Sequence, residues 1–252
     1  MPLSKLLIAC AVFFLTSSVS VVTGSTSLIT VPALIAFGVE PHVAVATNML
    51  ALIFMSAGGS LPFAYRGVIE RRVLPLGIVL TVVGSGIGAV LLLRIPTKAL
   101  QLTIAVAMIA VTAFSSFRRD SGTNQRPVSS VRDVGGYMLT FILAVYGGFF
   151  SGGYVTMLTA VFVLLFGLTF LQAVATTKVI NIFSSLVATG IFAWRGVVDF
   201  KLGLVLGLAM FLGAVMGGHV ATRLSAVWLR RIFLAAVIAL ATKMVITFIG
   251  EI

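Results

Sequence analysis

Lys178 is the residue whose position most strongly indicates chemistry, because it is the one charged side chain well inside a long apolar run. The run extends from Leu171 to Ala193. If this run spans a membrane, the buried ammonium costs several kcal/mol on insertion scales, and such a charge is a functional candidate by default. The structural alternative is a lysine that snorkels from the start of the segment to the membrane surface. We expect Lys178 to be the cationic partner of a bound anion.

Two glycine-containing bends precede unusually short apolar segments. Gly24 comes before the segment Leu28 to Phe37, and Gly152 and Gly153 come before Val155 to Phe166. Glycine permits the chain reversal that a bend inside a membrane needs. A helix that begins there presents unpaired N–H groups and the positive end of its dipole, which suit a small oxyanion. The hydroxyl donors predicted beside it are Ser25, Thr26, Ser27 and Thr156. Close packing of small residues is the alternative interpretation.

A polar pair follows small residues near the start of the third segment of each half. The pairs are Thr47 with Asn48 and Thr176 with Thr177, each after an Ala-Val-Ala run. We expect these side chains to lie toward the middle of the bilayer and to contact the ligand. Hydrogen bonding between helices is the alternative, and the sequence weighs the two almost equally.

The elements that must position these residues belong to a membrane protein. The 252 residues are 60% hydrophobic and 9% charged, against roughly 25% charged in soluble domains. Ten apolar segments are present, of which eight are long enough to span a hydrocarbon core of about 30 Å. The two short segments, those that follow the glycine bends, predict half-helices or re-entrant segments. The expected fold is therefore an all-α polytopic membrane protein with about eight spanning helices.

The formal net charge of +11 lies mostly in short breaks between the apolar segments. This distribution is typical of topogenic charge beside lipid headgroups rather than of nucleic-acid binding. The single Cys10 excludes an internal disulfide, and neither His42 nor His219 has a second ligand at metal-binding spacing. No phosphate-binding glycine loop is present, so direct use of nucleotide hydrolysis is excluded. We expect no cofactor and no metal.

The chain contains an ungapped internal duplication, in which Ala44 is equivalent to Ala173 and Arg66 to Arg195. Between Gly38 and Arg94 this alignment gives 16 identities in 57 positions. The duplication predicts a first membrane repeat at 1–117, a linker at 118–133 and a second membrane repeat at 134–252. Internal duplication around a midplane site is a recurrent plan of secondary transporters. Whether the repeats are parallel or inverted stays open, but either arrangement predicts a cytoplasmic linker.

The duplicated motifs resemble those of the sulfite exporter TauE/SafE family. They are the run Gly24-Ser-Thr-Ser-Leu-Ile-Thr-Val-Pro32, then Gly38 and Ala44-Val-Ala-Thr-Asn48, repeated more loosely as Ser151-Gly-Gly-Tyr154, Gly167 and Ala173-Val-Ala-Thr-Thr177. The first bend departs from the denser glycine run that the family usually shows. The resemblance covers essentially the whole chain and implies an inner-membrane permease for sulfite, organosulfonates or related sulfur anions, with roughly eight helices in two halves.

The sequence therefore predicts a secondary permease that moves a small anion by alternating access, coupled to a proton, to Na⁺ or to the gradient of the substrate itself. Two pairs at helix ends, Arg66 with Glu70 and Arg195 with Asp199, are most simply interface anchors and are also candidate gating pairs. The alternatives are an anion channel and an intramembrane serine protease with Ser151 as nucleophile and His219 as base.

Overall fold

The computed structural model describes residues 2–117 and 130–220, and these residues form an all-helical protein without strands. The predicted linker, apart from its end, and the last apolar segment of the sequence lie outside the described residues. The helices of the described ranges are α1 (Leu3–Thr23), α2 (Ser27–Ala36), α3 (Pro41–Tyr65), α4 (Leu74–Leu92), α5 (Thr97–Phe117), α6 (Ser130–Phe149), α7 (Tyr154–Leu164), α8 (Phe170–Trp194) and α9 (Phe200–Val220).

Five of the described helices, namely α1, α3, α4, α8 and α9, are long and apolar enough to cross a membrane. The helical membrane class predicted from the sequence is thereby confirmed, whereas the count of about eight spans stays a prediction. The two short helices are confirmed as well, since α2 has 10 residues and α7 has 11. At about 1.5 Å per residue neither spans a core of about 30 Å.

Glycines with a left-handed backbone lie just before the two short helices. Gly24 has φ +78° and ends α1, and Gly153 has φ +82° and begins α7. In the described residues, positive φ occurs only at glycine, at positions that are equivalent in the duplication: Gly24 with Gly153, Gly38 with Gly167, and Gly67 with Gly196. Only glycine adopts this conformation without steric cost, so the turn positions recur in register with the sequence duplication.

The helix α2 turns back along α1. Lys5, near the start of α1, donates from Nζ to the carbonyl oxygen of Phe37, which directly follows α2, at 3.4 Å. Three further residues, Gly38 to Glu40, lead to the start of α3. The segment therefore enters the bundle and returns toward the side from which α1 began, as expected for a re-entrant piece.

The long helices α3 and α8 lie antiparallel. Thr47, near the start of α3, accepts at Oγ1 a hydrogen bond from the backbone N–H of Asp199, beyond the end of α8, at 3.1 Å. Thr176, near the start of α8, accepts one from the N–H of Glu70, beyond the end of α3, at 2.9 Å. Each helix thus begins where the other ends.

Glycines allow the outer helices to approach closely. A Cβ at Gly88 of α4 would overlap the carbonyl oxygen of Val145 in α6, and a Cβ at Gly217 of α9 would overlap that of Ser18 in α1. Such backbone contact is typical of membrane helices, which associate through close packing at small residues because the hydrophobic effect does not drive their association in lipid. It holds α4 on α6 and α9 on α1 around the central α3 and α8.

Candidate functional site

The two glycine bends meet inside the protein. The hydroxyls of Ser25, just before α2, and Thr156, in the first turn of α7, are 2.5 Å apart. A Cβ at Gly24 would lie 3.0 Å from the backbone nitrogen of Thr156. The starts of α2 and α7 therefore converge, and the first N–H groups of a helix have no acceptor within it. Two positive helix ends in one place can stabilise an anion.

Hydroxyl and amide side chains surround this junction. Thr30 of α2 donates to Oδ1 of Asn48 at 2.7 Å, and Nδ2 of Asn48 donates to Ser27 at 2.9 Å. In the second half, the hydroxyls of Thr159 and Thr177 are 3.2 Å apart. All five are buried. Asn48 and Thr177 thus tie α3 and α8 to the short helices, and the contact of Thr30 with Asn48 is equivalent in the duplication to that of Thr159 with Thr177.

Lys178 is buried beside the first bend, with 1% of its surface exposed. Its Nζ donates to the carbonyl oxygen of Ser20 at 3.2 Å, and the same oxygen accepts the N–H of Gly24 at 2.8 Å. The ion pairs in the described residues are Glu40 with His42 and Arg72 with Asp133, so no carboxylate pairs with Lys178 there. An ammonium has three donors. The burial argues against the snorkelling alternative and places the Lys178 amine beside the junction.

Thr47 and Thr176 lie apart from their neighbours Asn48 and Thr177. Their hydroxyls bind the backbone of the opposite helix connection, at Asp199 and Glu70, rather than the junction. This position fits the alternative interpretation, hydrogen bonding between helices, better than contact with a ligand. Of the other predicted residues, Ser25, Thr26 and the two bend glycines Gly152 and Gly153 are buried at the junction.

The acidic members of the candidate gating pairs bind backbone N–H groups in this conformation. Oε1 of Glu70 accepts from the N–H of Arg72 at 3.1 Å, and Oδ1 of Asp199 accepts from the N–H of Leu202 at 3.0 Å. Arg66 and Arg195 are exposed. Within the described ranges, neither predicted pair forms an ion pair.

Ser151 and His219 give the protease alternative no support. Ser151 is buried next to the second bend, with 5% of its surface exposed. His219 is exposed near the end of α9, and its Nδ1 pairs with the carbonyl oxygen of Val215 in the same helix at 2.8 Å. In residues 2–117 and 130–220, no group of three or more His, Cys, Asp or Glu side chains is suited to a metal ion.

Sequence reasoning missed several polar residues near Lys178 and the junction. They are Ser20, Thr30, Ser56, Thr159 and Asn181, all buried. Two signals were present in the sequence: Thr30 and Thr159 are equivalent in the duplication, and Asn181 lies three residues after Lys178, on the same face of a helix. Small hydroxyl residues are frequent in apolar helices for packing reasons, so the pattern alone did not distinguish them.

Comparison with known proteins gives a consistent result. A family model described as Sulfite exporter TauE/SafE matches residues 9–244. A probable membrane transporter protein of Sinorhizobium sp. is 28% identical over 92% of this chain and 88% of its own length. Proteins with similar descriptions from Haemophilus influenzae and Escherichia coli are 27% and 29% identical, over 84% and 79% of this chain and 83% and 74% of their own lengths. No solved structure matches the chain.

Proposed function

Because the chain belongs to the sulfite exporter TauE/SafE family, a family of membrane transporters, we propose that it is a secondary permease that carries a small anion by alternating access. The substrate class that we propose is sulfite, an organosulfonate or a related sulfur oxyanion. The family description supports a sulfur oxyanion. A negative charge on the substrate is supported by Lys178, which forms no ion pair with a carboxylate of the described residues.

The observation that carries this proposal is the convergence of the α2 and α7 starts next to a buried ammonium. Ser25 and Thr156 are in contact across the junction. Lys178 donates to the carbonyl of Ser20, four residues before Gly24. Backbone N–H groups and a lysine complement an oxyanion without a metal or a cofactor. We propose that the anion binds at the junction, near the side chains of Ser25, Thr26, Asn48 and Thr177; in the present conformation Thr26 donates to Sδ of Met55 and Thr177 to the carbonyl oxygen of Val174, so these hydroxyls must rotate to donate to the anion.

Two inverted halves would give this site alternating access. The recurrence of the left-handed glycines at equivalent positions supports a repeat made of 1–117 and 134–252, joined by the linker 118–133. The antiparallel α3 and α8 support an inverted rather than a parallel arrangement. In inverted-repeat transporters the site lies between the halves, and rocking of one half against the other exposes it to each side in turn.

The junction is closed to solvent in this conformation. Ser25, Thr26, Asn48 and Lys178 are 1 to 3% exposed. A carrier must pass through such an occluded state, whereas an open channel does not, so we favour the carrier. The pairs Arg66 with Glu70 and Arg195 with Asp199 remain our candidates for contacts that form when one side opens.

One ion pair supports the orientation that we propose. Nη1 of Arg72, in the connection between α3 and α4, lies 3.3 Å from Oδ2 of Asp133, in the first turn of α6. The Arg66 to Arg72 connection therefore faces the same side as the linker. We propose that this arginine-rich side is cytoplasmic, in a bacterial-type inner membrane.

Lys178→Met tests the proposal, because it copies Met49, the residue at the equivalent position of the first half. Proteoliposomes that contain the purified protein are loaded with unlabelled sulfite, and the counterflow of radiolabelled sulfite into them is measured. We expect saturable counterflow in the parent protein and at least a tenfold rise in the apparent KM in Lys178→Met. Lys201→Met removes an exposed lysine at the start of α9 and should leave the KM unchanged.

A thermal-shift panel of sulfite, sulfonates, thiosulfate and carboxylates measures binding without transport. A ligand at 100 times its Kd stabilises the native state by about 2.7 kcal/mol. We expect stabilisation by at least one sulfur oxyanion and a loss of that stabilisation in Lys178→Met. Equal stabilisation of the two proteins would remove Lys178 from the site, and a response confined to carboxylates would refute the proposed substrate class.

A further inference from the structure

Four buried polar atoms of α1 and α8 have no hydrogen-bond partner in the part of the chain that the structure describes. They are Oγ of Ser20, Oδ1 of Asn181, Oγ of Ser185 and Oγ1 of Thr189. The residues are at most 7% exposed. Leaving a buried polar group unpaired costs about 1–3 kcal/mol, so four such groups require a physical explanation.

Three of these residues lie on one face of α8 together with Lys178. The spacings from Lys178 to Asn181, Ser185 and Thr189 are three, seven and eleven residues, which repeat on one side of an α-helix. We call Lys178, Asn181, Ser185 and Thr189 the α8 polar face. It is directed toward α3 and α1, because Asn181 donates to Ser56 at 2.7 Å and Lys178 donates to Ser20 at 3.2 Å.

The duplication explains why Ser185 is unpaired. Ser185 is equivalent to Ser56, which accepts a hydrogen bond from Asn181. The residue equivalent to Asn181 in the first half is Leu52, which has no polar side-chain atom. Ser185 therefore lacks the donor that Ser56 has. The neighbouring Ser184 points elsewhere and is paired, since its hydroxyl lies 2.7 Å from that of Ser85 in α4.

We infer that the α8 polar face lines a path between Lys178 and the membrane surface at which α8 ends, and that this path is closed in the present conformation and fills with water when that side opens. Water satisfies buried polar groups that lack protein partners, and ionisable side chains within membrane helices almost always face the bundle interior or a water-filled cavity. Eleven residues at about 1.5 Å each give a face of about 16 Å, roughly half of the hydrocarbon core. The path therefore serves one side only.

The side that the path serves is opposite the linker. The connection before α8 is close to the linker side, because Nη2 of Arg72 donates to the carbonyl of Phe166 at 3.3 Å. The helix α8 runs away from it and ends at Trp194. As far as the solute is concerned, the inference rests on the proposed function: the path gives the anion at the junction an entrance or exit on that side.

Cysteine accessibility tests the path without any substrate. Three single-cysteine variants are made in a Cys10→Ala background: Ser185→Cys, Thr189→Cys and Ser184→Cys. Each is treated with a membrane-impermeant thiosulfonate reagent, added first to one side and then, in a separate sample, to the other side of sealed vesicles. Ser184→Cys is the matched control, at the same depth on another face. Ser121→Cys in the linker marks the linker side. Labelling is read by mass on purified protein, and only variants that elute as folded protein are compared.

We expect Ser185→Cys and Thr189→Cys to be labelled at least tenfold faster than Ser184→Cys, and only from the side opposite the linker mark. Equal rates at positions 184 and 185, or faster labelling of Ser185→Cys from the linker side, would overturn the inference. Thr189→Cys gives a second reading if Ser185→Cys does not fold.

The charge of the reagent and protection by an organosulfonate separate the path from the proposed function. We expect the anionic sulfonatoethyl reagent to label Ser185→Cys faster than the cationic trimethylammonium reagent, and Lys178→Gln to reduce that ratio at least fivefold. Methanesulfonate should slow the labelling; it is used in place of sulfite, which would itself react with the thiosulfonate reagent. Labelling without charge preference or methanesulfonate protection would support a water path and refute the anion site, whereas protection without one-sided labelling would refute the path alone.

Discussion

Thr47→Val and Thr176→Val test whether the two halves brace each other through equivalent hydrogen bonds. Each substitution keeps the β-branched shape and removes one hydroxyl, which accepts from the N–H of Asp199 at 3.1 Å or of Glu70 at 2.9 Å. Thr47 and Thr176 are equivalent in the duplication, as are their partners Glu70 and Asp199. If the repeat is real, the two substitutions should have the same effect.

The size of the effect follows from what each N–H loses. A buried donor left without an acceptor costs about 1–3 kcal/mol. Both bonds are only partly buried, so water replaces part of the loss and we expect the lower end, about 1 kcal/mol for each substitution. That is about a fivefold change in the unfolding equilibrium. Because the two bonds are at opposite ends of α3 and α8, the double variant should lose about 2 kcal/mol.

The free energy of unfolding is measured by titration with a denaturing detergent in mixed micelles. Thr103→Val is the control, because its hydroxyl donates only to the Ala99 carbonyl of its own helix, at 2.7 Å, and such back-bonding adds little stability. Differences between Thr47→Val and Thr176→Val larger than about 1 kcal/mol, or a Thr103→Val effect as large as theirs, would refute the reasoning.

Two further predictions concern packing and pH. Gly88→Ala and Gly217→Ala should each prevent stable folding or strongly lower the melting temperature, because a Cβ would overlap backbone carbonyls. Gly190→Ala is the control and should be neutral, since a Cβ there meets nothing within 4 Å. An equal fall in melting temperature in all three variants would contradict the packing. Burial raises the pKa of Glu40, but hydrogen bonds from His42 and the Val43 N–H outweigh it and lower that pKa overall. The stabilisation by this carboxylate is therefore present above its unfolded pKa and lost as pH falls through the lower folded one. Unfolding midpoints of the parent and Glu40→Gln proteins should converge at low pH, and a constant gap would refute the role of the charge.

The sequence allowed prediction of the helical membrane class and of the two short helices, because hydropathy and length decide both. The run from Leu28 to Phe37 after Gly24 is too short to cross the hydrocarbon core, whatever it packs against. The bends were predictable from a second local property. Glycine adopts a left-handed backbone at little steric cost, and Gly24 and Gly153 occupy equivalent positions in the duplication and both have this conformation. These features depend on local chemistry alone.

The sequence did not allow prediction of the antiparallel arrangement of α3 and α8. Counting Lys and Arg does not decide between the two topologies, and the distinction depends on contacts between distant parts of the chain, such as Thr47 with Asp199. The different roles of Thr47 and Asn48 were equally hidden. They are adjacent in sequence, but a step of about 100° around a helix turns one toward a connection and the other toward α2.

The positions at which the two halves differ bear on function more directly than the positions at which they are identical. A perfectly repeated pair of inverted halves would present the same chemistry to both membrane surfaces. Here Lys178 faces a path on one side, while its equivalent is Met49, and Asn181 is equivalent to Leu52. Replacing Met49 by lysine and Lys178 by methionine in one protein moves the charge to the other half. If the two halves have the same fold, the preference of Ser185→Cys for the anionic reagent should weaken in this double variant. A double variant that keeps the original preference would show that the charge of Lys178 does not govern access from that side.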